Sequence, residues 1–191
     1  AYALPSDGAV VVTMRQGGTQ DRAFLDVDRA SGGALARAVA SAAFEGKRGT
    51  TLNLHGIGPY SQVTVIGRGD EAITPRLLED IGALAGNAGA SSKAPRMELL
   101  WPEAGLAAGG AHLAFGAALG EYRFGIYKTE NTDASKAGQG ALVVRVNDPE
   151  AARSAWTAQW RPVADSVRFA RDLVTEPANV IYPESFVERT R

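Results

Sequence analysis

Apolar residues along the chain form two kinds of pattern, and the first is a short run rich in β-branched residues. The run from Ala9 to Met14 (AVVVTM) is almost continuously apolar, which is typical of a strand buried on both faces. Similar short runs bounded by glycine or proline predict further strands. The predicted strands span residues 9–14, 50–54, 62–66, 97–101 and 141–146.

The second pattern places apolar residues three and four positions apart, and it predicts helices between the strands. Thr74 and Pro75 mark one helix start, because threonine is a good N-cap and proline fits the first helical position. Ser31 is a second predicted N-cap, for an Ala-rich helix that reaches Phe44. Two further helices are predicted at residues 106–122 and 148–160.

Proline residues shape the last part of the chain. Pro162 either kinks the helix before it or opens a new one, because it has no N–H and clashes with the preceding turn. Beyond it, a helical stripe continues, and Pro177 and Pro183 are expected to end regular structure. The stripe consists of Val163, Val167, Ala170 and Val174.

Strands that alternate with helices predict an α/β fold in three layers, with a mixed, mainly parallel sheet flanked by helices. The length of 191 residues suits one domain with a sizeable core. A polar segment with glycine and serine, residues 128–139, predicts a mobile loop.

Composition narrows the function classes. A net charge of −1 gives no general attraction to nucleic acid or to an anionic membrane, and the absence of cysteine excludes disulfides and thiolate ligands. No apolar run reaches the roughly 20 residues needed to span a bilayer. The first residues lack the features of a signal peptide, and without an initiator Met they indicate a processed or cut N-terminus. These features are compatible with a cytoplasmic protein.

Gly67-Arg68-Gly69-Asp70-Glu71-Ala72 follows a predicted strand and fits the loose dinucleotide fingerprint G-x-G-x-x-G/A. The next helix begins only at Pro75, too late for its free N–H groups to face a phosphate held by the glycines. About 20 residues further on, where the fingerprint needs an acid, the chain has Asn87. We therefore interpret the segment as a strand-to-helix turn that requires glycine for backbone reasons.

The two histidines do not predict a metal site. His55 and His112 have no partner at metal-ligand spacing, and a zinc or manganese site needs three or more converging ligands. We expect His55 to cap a turn at a strand end and His112 to lie in a helix. No G-x-S-x-G elbow marks a nucleophile, and the pair Trp156 and Trp160 is typical of core or interface packing.

Two segments carry a family resemblance. Residues 118–124 (ALGEYRF), followed by Tyr127-Lys128-Thr129, are similar to a helix-end motif of the leucyl aminopeptidase family (peptidase family M17). Residues 170–180 (ARDLVTEPANV), followed by Pro183-Glu184, resemble that family's ARDLVNEPAN…TPE signature. Less specific matches, AFEGKRGTTLNL and VTVIGRGDE, extend the resemblance from about Asp7 to Glu188. Pro162 and Thr175 depart from the family pattern.

The resemblance implies an N-terminal, non-catalytic domain similar to macro domains, at residues 1–172, and a junction to a catalytic domain at residues 173–191. The C-terminal catalytic domain, outside this chain, would hold two divalent metal ions (Zn or Mn) and cleave N-terminal residues from peptides. The family also implies a cytoplasmic homohexamer. No catalytic, cofactor-binding or metal-ligating residue is therefore expected in this chain.

One short match is misleading. Asn131-Thr132-Asp133-Ala134 repeats the start of the family's metal-binding NTDAEGRL motif, but it continues as Ser135-Lys136 and lies before the junction. We interpret Asp133 as a solvated loop acid. Two alternative functions stay open at this point: a macro-like module that binds ADP-ribose or another nucleotide, and a DNA-binding accessory domain.

Overall fold

A computed structural model describes residues 2–103, 106, 108–125, 127 and 141–191. Among these residues the sheet has five strands in the order β2-β3-β1-β4-β5, of which β2 and β3 pair antiparallel and the other neighbours pair in parallel. The strands are β1 (Gly8–Arg15), β2 (Thr51–Ile57), β3 (Tyr60–Gly69), β4 (Arg96–Trp101) and β5 (Ala141–Val146).

Helices cover both faces of the sheet, so the predicted three-layer α/β fold is confirmed. The helices are α1 (Arg22–Ala30), α2 (Ala34–Ser41), α3 (Pro75–Ser91), α4 (Gly109–Gly120), α5 (Pro149–Ala155), α6 (Arg161–Thr175) and α7 (Pro183–Thr190). No helix among the described residues is both long enough and apolar enough to cross a membrane.

β1 lies at the centre of the sheet and divides the core into two clusters. Val11 faces α3 and α4, whereas Val10 and Val12 face α1 and α2, and all three are fully buried. Alternate residues of a strand point to opposite faces, so a continuously apolar strand serves both clusters. The prediction that the run from Ala9 is buried on both sides is confirmed.

The helix predicted from Ser31 to Phe44 is present as α2, but Ser31 is not its N-cap, because Ser31 lies in the corner after a separate helix, α1, that was not predicted. α1 ends at Ala30, and α2 begins after Gly33, whose φ of 78° reverses the chain. The Ser31 hydroxyl donates to the Asp28 carbonyl at 3.0 Å and accepts from the Leu35 N–H at 3.3 Å, so Ser31 holds the corner between the helices.

The start of α3 follows the prediction. The hydroxyl of Thr74 accepts a hydrogen bond from the Leu77 N–H at 3.2 Å, and Pro75 occupies the first helical position. Thr74 is therefore a true N-cap, which satisfies one of the otherwise unpaired donors of the first turn.

α3 and α4 pack closely because each carries glycines on the facing side. A Cβ on Gly82 or Gly86 of α3 would overlap carbonyl groups of α4, and one on Gly116 or Gly120 of α4 would overlap carbonyl groups of α3. The two backbones are therefore in direct contact, which side chains of any size would prevent.

A π-helical turn, Trp156–Trp160, joins α5 to α6 directly before Pro162. The side that faces α4 has residues spaced mainly by four: Ala152, Trp156, Trp160, Ala164, Arg168 and Arg171. In a regular α-helix, four residues advance by about 400°, so such a row drifts around the axis. The wider π turn offsets this drift and keeps the row on α4.

Two expectations for this region are wrong. Pro183 begins α7 instead of ending regular structure. The predicted stripe on α6 is largely exposed, with Val163 at 41% and Val174 at 86%, whereas the neighbouring Ala164 is buried. The predicted loop at 128–139 lies outside the described residues.

Candidate functional site: the junction of α4, α6 and α7

The two segments that carry the family resemblance contact each other. The Tyr122 hydroxyl, just after α4, donates to Oδ1 of Asp172 on α6 at 2.7 Å. Arg171 donates from Nη1 to the Leu119 carbonyl at 3.0 Å, and its guanidinium lies 5.4 Å from the centre of the Tyr122 ring. Arg171 and Asp172, which are adjacent in the second segment, therefore bind a backbone carbonyl and a side chain of the first segment.

The end of α4 receives a second arginine from α6. Nε and Nη2 of Arg168 both donate to the Ala118 carbonyl, at 3.0 and 2.8 Å, and Nη2 also pairs with Glu121. The last carbonyls of a helix lack internal partners and carry partial negative charge, so cations are favourable there. Arg168 and Arg171 together fix α6 against the C-terminus of α4.

Glu176 is the buried acid of the junction, with its side chain only 3% exposed. Its carboxylate accepts hydrogen bonds from the Tyr127 hydroxyl and, at 2.9 Å, from Nη1 of Arg189 on α7. The bond from Tyr127, followed by Arg189, lowers the pKa of Glu176 below its usual value. The carboxylate stays charged and ties α7 to the end of α6.

Pro177 sets the direction in which the chain leaves α6. Glu176 has φ −59° and ψ 137°, outside the helical region, as expected for a residue before proline. The expectation that Pro177 ends this helix is confirmed. α7 then starts at Pro183, where the Tyr182 N–H donates to Oγ of Ser185 at 2.9 Å.

Exposed hydrophobic side chains are concentrated around this junction. Val174 is 86% exposed, and Tyr182, Phe186 and Val187 are each about half exposed. We call these four residues the exit surface. Scattered exposed apolar residues are common on proteins, but a concentration beside one structural feature is typical of a contact with another chain or domain.

The carboxyl ends of β1 and β3, where nucleotides bind in many α/β sheets, are occupied by a buried ion pair. Nε and Nη2 of Arg68 donate to the Asp21 carboxylate at 2.6–2.9 Å, and the Thr13 hydroxyl donates to the same carboxylate at 2.6 Å. Arg68, the residue between Gly67 and Gly69, is therefore engaged in a structural ion pair.

Both glycines of the fingerprint have backbone roles. A Cβ on Gly67 would overlap the Lys47 carbonyl, and Gly69 has a φ of 73°. Both glycines are thus required by the backbone, as interpreted, but they lie within β3, so the strand-to-helix turn begins only at Asp70.

The histidines lie far apart in the fold. His55 lies within β2 opposite Gln62, so the expectation that it caps a turn at the strand end is wrong. Nδ1 of His112 lies 3.1 Å from Oε1 of Glu79, and its ring packs 4.6 Å from that of Trp160. The described residues contain no group of three or more His, Asp or Glu side chains placed to hold a metal ion. Asp133 lies outside the described residues.

The two signature segments are recognisable in the sequence, but the contacts between them are not. Tyr122 and Asp172 are 50 positions apart, and Asp21 and Arg68 are 47 apart, so no local pattern pairs them. One local signal existed for Asp21, because an aspartate directly before a helix is a typical N-cap. Its carboxylate makes no capping bond, since Arg68 and Thr13 bind it instead.

The chain belongs to the cytosol aminopeptidase family, peptidase family M17. It matches the family model described as "Cytosol aminopeptidase family, N-terminal domain" over residues 10–131. The chain is therefore an N-terminal domain of this family, and the resemblance seen in the sequence is confirmed.

Curated relatives agree with this assignment. A probable cytosol aminopeptidase of Caulobacter vibrioides is 33% identical over 186 residues, which cover 96% of this chain and 37% of the relative. One from Methylorubrum populi is 40% identical over 161 residues, covering 81% of this chain and 31% of the relative. The chain thus spans about a third of the length of these relatives, and they do not favour the nucleotide-binding alternative.

Solved structures share the fold. A tomato leucine aminopeptidase matches with a TM-score of 0.73 and 23% identity, over 95% of this chain and 38% of that one. The bottromycin maturation enzyme BotP in complex with Mn matches with a TM-score of 0.65 and 21% identity, over 97% and 35% of the two chains. At this level of identity, the matches show the α/β fold.

Proposed function

We propose that this chain is the non-catalytic domain of a metal-dependent aminopeptidase that removes N-terminal residues from peptides. The family match to an N-terminal domain is the observation that carries the proposal. In the parent protein, the reaction would belong to a C-terminal domain of the same chain, and this domain would support and orient it.

The metal ions fit that C-terminal domain better than this one. The proposed two divalent ions, zinc or manganese, would activate water and hold the free amine of the peptide. The residues described here do not supply the converging carboxylate and nitrogen ligands that such a centre needs. We therefore assign no step of the hydrolysis to this chain and no catalytic or metal-binding role to its residues.

The exit surface is the proposed contact with the catalytic domain. This surface lies at the end of α6 and around α7. The curated relatives are more than twice as long as this chain. The domain limits that we propose are residues 1–172 and 173–191. α6 runs on to Thr175, so the limit would fall within its last turn.

The parent protein is proposed to be a cytoplasmic homohexamer that acts on peptides. The names of the relatives, "cytosol aminopeptidase", support the compartment and the substrate class. The net charge of −1 gives no support for nucleic acid as a partner.

An activity assay tests the absence of catalysis in this chain. The purified 191-residue protein is incubated with leucine p-nitroanilide and with Mn²⁺ or Zn²⁺, and no hydrolysis above the blank is expected. Hydrolysis that elutes with the protein on gel filtration, passes a mass-spectrometric purity check and disappears with a chelator contradicts the proposal.

A binding assay tests the exit surface. The chain is titrated by calorimetry with the separately expressed remainder of the parent protein. Val174→Asp and Phe186→Asp are expected to weaken association about 10-fold or more, because each would bury an unpaired charge. Leu25→Asp is the control, since Leu25 is similarly exposed, at 42%, on α1. Equal affinity for all variants would place the contact elsewhere.

A further inference from the structure

A groove of about 730 Å³ lies between β2 and the C-terminal half of α3. Asn53, His55 and Gln62 line its sheet side, and Asn87 and Ser91 line its helix side. The groove is separate from the junction of α4, α6 and α7. It has the size of a binding site for a small ligand or a short peptide segment.

β2 is an edge strand of the described sheet and presents unpaired backbone groups beside the groove. The Gly67 N–H donates to the Thr50 carbonyl at 2.8 Å, so the carbonyl of Thr50, the residue before β2, faces β3. Residues that face the neighbouring strand alternate along an antiparallel ladder with residues that face away from it. Thr51, Asn53 and His55 therefore direct their N–H and C=O groups away from β3.

Side chains of the same three residues line the groove, while those of Leu52 and Leu54 pack on the opposite face of the sheet. A strand added at this edge would thus form backbone hydrogen bonds with β2 and place its alternate side chains at the groove. A single extended partner would thus form hydrogen bonds with the unpaired backbone groups of β2 and also fill the groove.

The edge lacks the usual protection against strand addition. Native edge strands commonly carry lysine, proline or inward-pointing charges. β2 (TLNLHGI) contains no Lys, Arg, Asp, Glu or Pro. Its backbone row is open to pairing over the stretch from Thr51 to His55.

A chain of hydrogen bonds holds the polar floor of the groove in place. The Ser92 hydroxyl donates to Oε1 of Gln62 at 2.7 Å, and the Thr64 hydroxyl donates to Oδ1 of Asn53 at 2.7 Å. Both hydroxyl-bearing residues are buried. Because its oxygen is engaged, Asn53 is oriented with its NH₂ group available as a donor.

The charge of the groove favours an anionic partner. Its lining includes Lys93 and His55 but no carboxylate, and Lys93 is exposed without an ion pair among the described residues. Lys93 directly follows Ser92, which bonds Gln62, and Gln62 pairs with His55 across the ladder. The cation therefore lies near the His55 end of the open edge.

We propose that this groove binds an extended peptide segment that pairs with the edge of β2 and directs a carboxylate towards Lys93. A small anion alone would use Lys93 but not the row of backbone groups, so the edge favours a peptide. The proposal does not rest on the aminopeptidase assignment, because binding to this chain is measured without any hydrolysis.

The test is an NMR titration of the ¹⁵N-labelled 191-residue protein with an N-acetylated heptapeptide, Thr-Val-Thr-Val-Thr-Glu-Val, with a free C-terminal carboxylate. Saturable shifts are expected at the amides of Thr51, Asn53 and His55. No saturable shift at about 5 mM peptide, where even a weak site would fill, overturns the proposal.

Two N-methylated forms of the peptide test strand addition without changing the protein. Each is methylated at alternate amides, so that only one form loses the donors that face β2. That form is expected to bind about 10-fold more weakly or worse, and the other to bind like the parent peptide. Equal binding of both forms contradicts pairing at the edge.

Lys93→Glu tests the charge preference, and Arg37→Glu on α2, at the opposite face of the sheet, is its control. Lys93→Glu is expected to weaken binding about 2- to 5-fold, as is amidation of the peptide's C-terminus, whereas Arg37→Glu should have no effect. Equal binding by all proteins overturns the role of Lys93.

Light scattering completes the test, because a dimer formed through β2 would show that a second copy occupies the edge and would overturn the peptide proposal.

Discussion

Gly116 on α4 lies directly against the carbonyl oxygen of Glu79 on α3, and no space for a Cβ separates them. Gly82 on α3 has the same relationship to the carbonyl of Leu113 on α4. The two helices thus approach through glycines on both sides. Because helix-interior glycine costs conformational entropy, its presence here reflects the distance between the helices.

Gly116→Ala is predicted to destabilise the protein by about 1–3 kcal/mol, because the methyl group would force two backbones apart. Gly89→Ala, within the facing helix α3, is the matched control. A Cβ at Gly89 would meet only Leu142 Cβ at 3.8 Å, an ordinary contact, so this change should be neutral or stabilise by up to about 1 kcal/mol. Urea denaturation measures both, and a shift in the same direction for both variants would contradict the explanation.

Asp21→Asn is predicted to lower the free energy of unfolding by about 3 kcal/mol or more, because it leaves the Arg68 guanidinium buried without its counter-charge. The two side chains are only 4% and 9% exposed. Glu45→Gln removes one partner of a pair in which both side chains are 62% exposed, and it should change stability by less than about 1 kcal/mol. Chemical denaturation at neutral pH compares them; similar losses would show that burial of the pair is irrelevant.

Stability is predicted to fall in acid partly through Glu98 of β4. Hydrogen bonding to Arg145 lowers the pKa of Glu98 from its usual value near 4.5, so the folded state favours the carboxylate. This contribution is complete above the usual pKa and is lost as the pH falls through the lowered pKa.

Glu98→Gln should therefore be less stable than the wild type at pH 7, with a difference that shrinks as the pH drops below 4.5. Urea denaturation across this range measures the difference. A gap that stays constant down to the lowest pH would exclude the Glu98 carboxylate as its cause.

Tyr2→Phe is predicted to stabilise the protein by about 1 kcal/mol, because the Tyr2 hydroxyl is buried without a hydrogen-bond partner among the described residues. Burial, followed by the charge of Asp26, raises the pKa of Tyr2 to about 12. Ionisation therefore favours the unfolded state above the usual value of 10.0, and the wild type loses stability as the pH rises towards 12.

The variant should show a shallower loss in that alkaline range, measured by denaturation at successive pH values. Tyr60→Phe is the control, because the Tyr60 hydroxyl donates to the Pro5 carbonyl at 3.1 Å, and its removal should destabilise by about 1 kcal/mol. Destabilisation by Tyr2→Phe would mean that its hydroxyl has a favourable partner.

Elements with a local signal were predictable from the sequence. The five strands follow from short apolar runs, and α3 follows from Thr74 and Pro75, because these signals act within a few residues. α1 was missed because its buried apolar face is short, consisting of Ala23, Phe24 and Val27, although Asp21 offered a typical N-cap residue. The sequence shows the aspartate, but only the fold brings Arg68 to it.

The junction was predictable as a segment but not as an arrangement. Its residues match a family signature, and Pro177 predicts that the helix ends just before it. The bonds from Tyr122, Arg168 and Arg171 join positions about 50 apart, and such pairings depend on the packing of α4 against α6. The burial of Ala164 instead of Val163 has the same origin, because the π turn changes which residues face α4.

The π turn at Trp156–Trp160 contains about one residue more than a regular α-helical turn over the same arc. Removing one residue there would restore a regular turn and leave the helix beyond it nearly in phase. Removing one residue from the regular helix at the start of α6 would instead rotate everything downstream by about 100° around the helix axis, and Arg168 and Arg171 would lose the carbonyls of α4. The π turn would thus tolerate a change in chain length that the regular helix beside it would not.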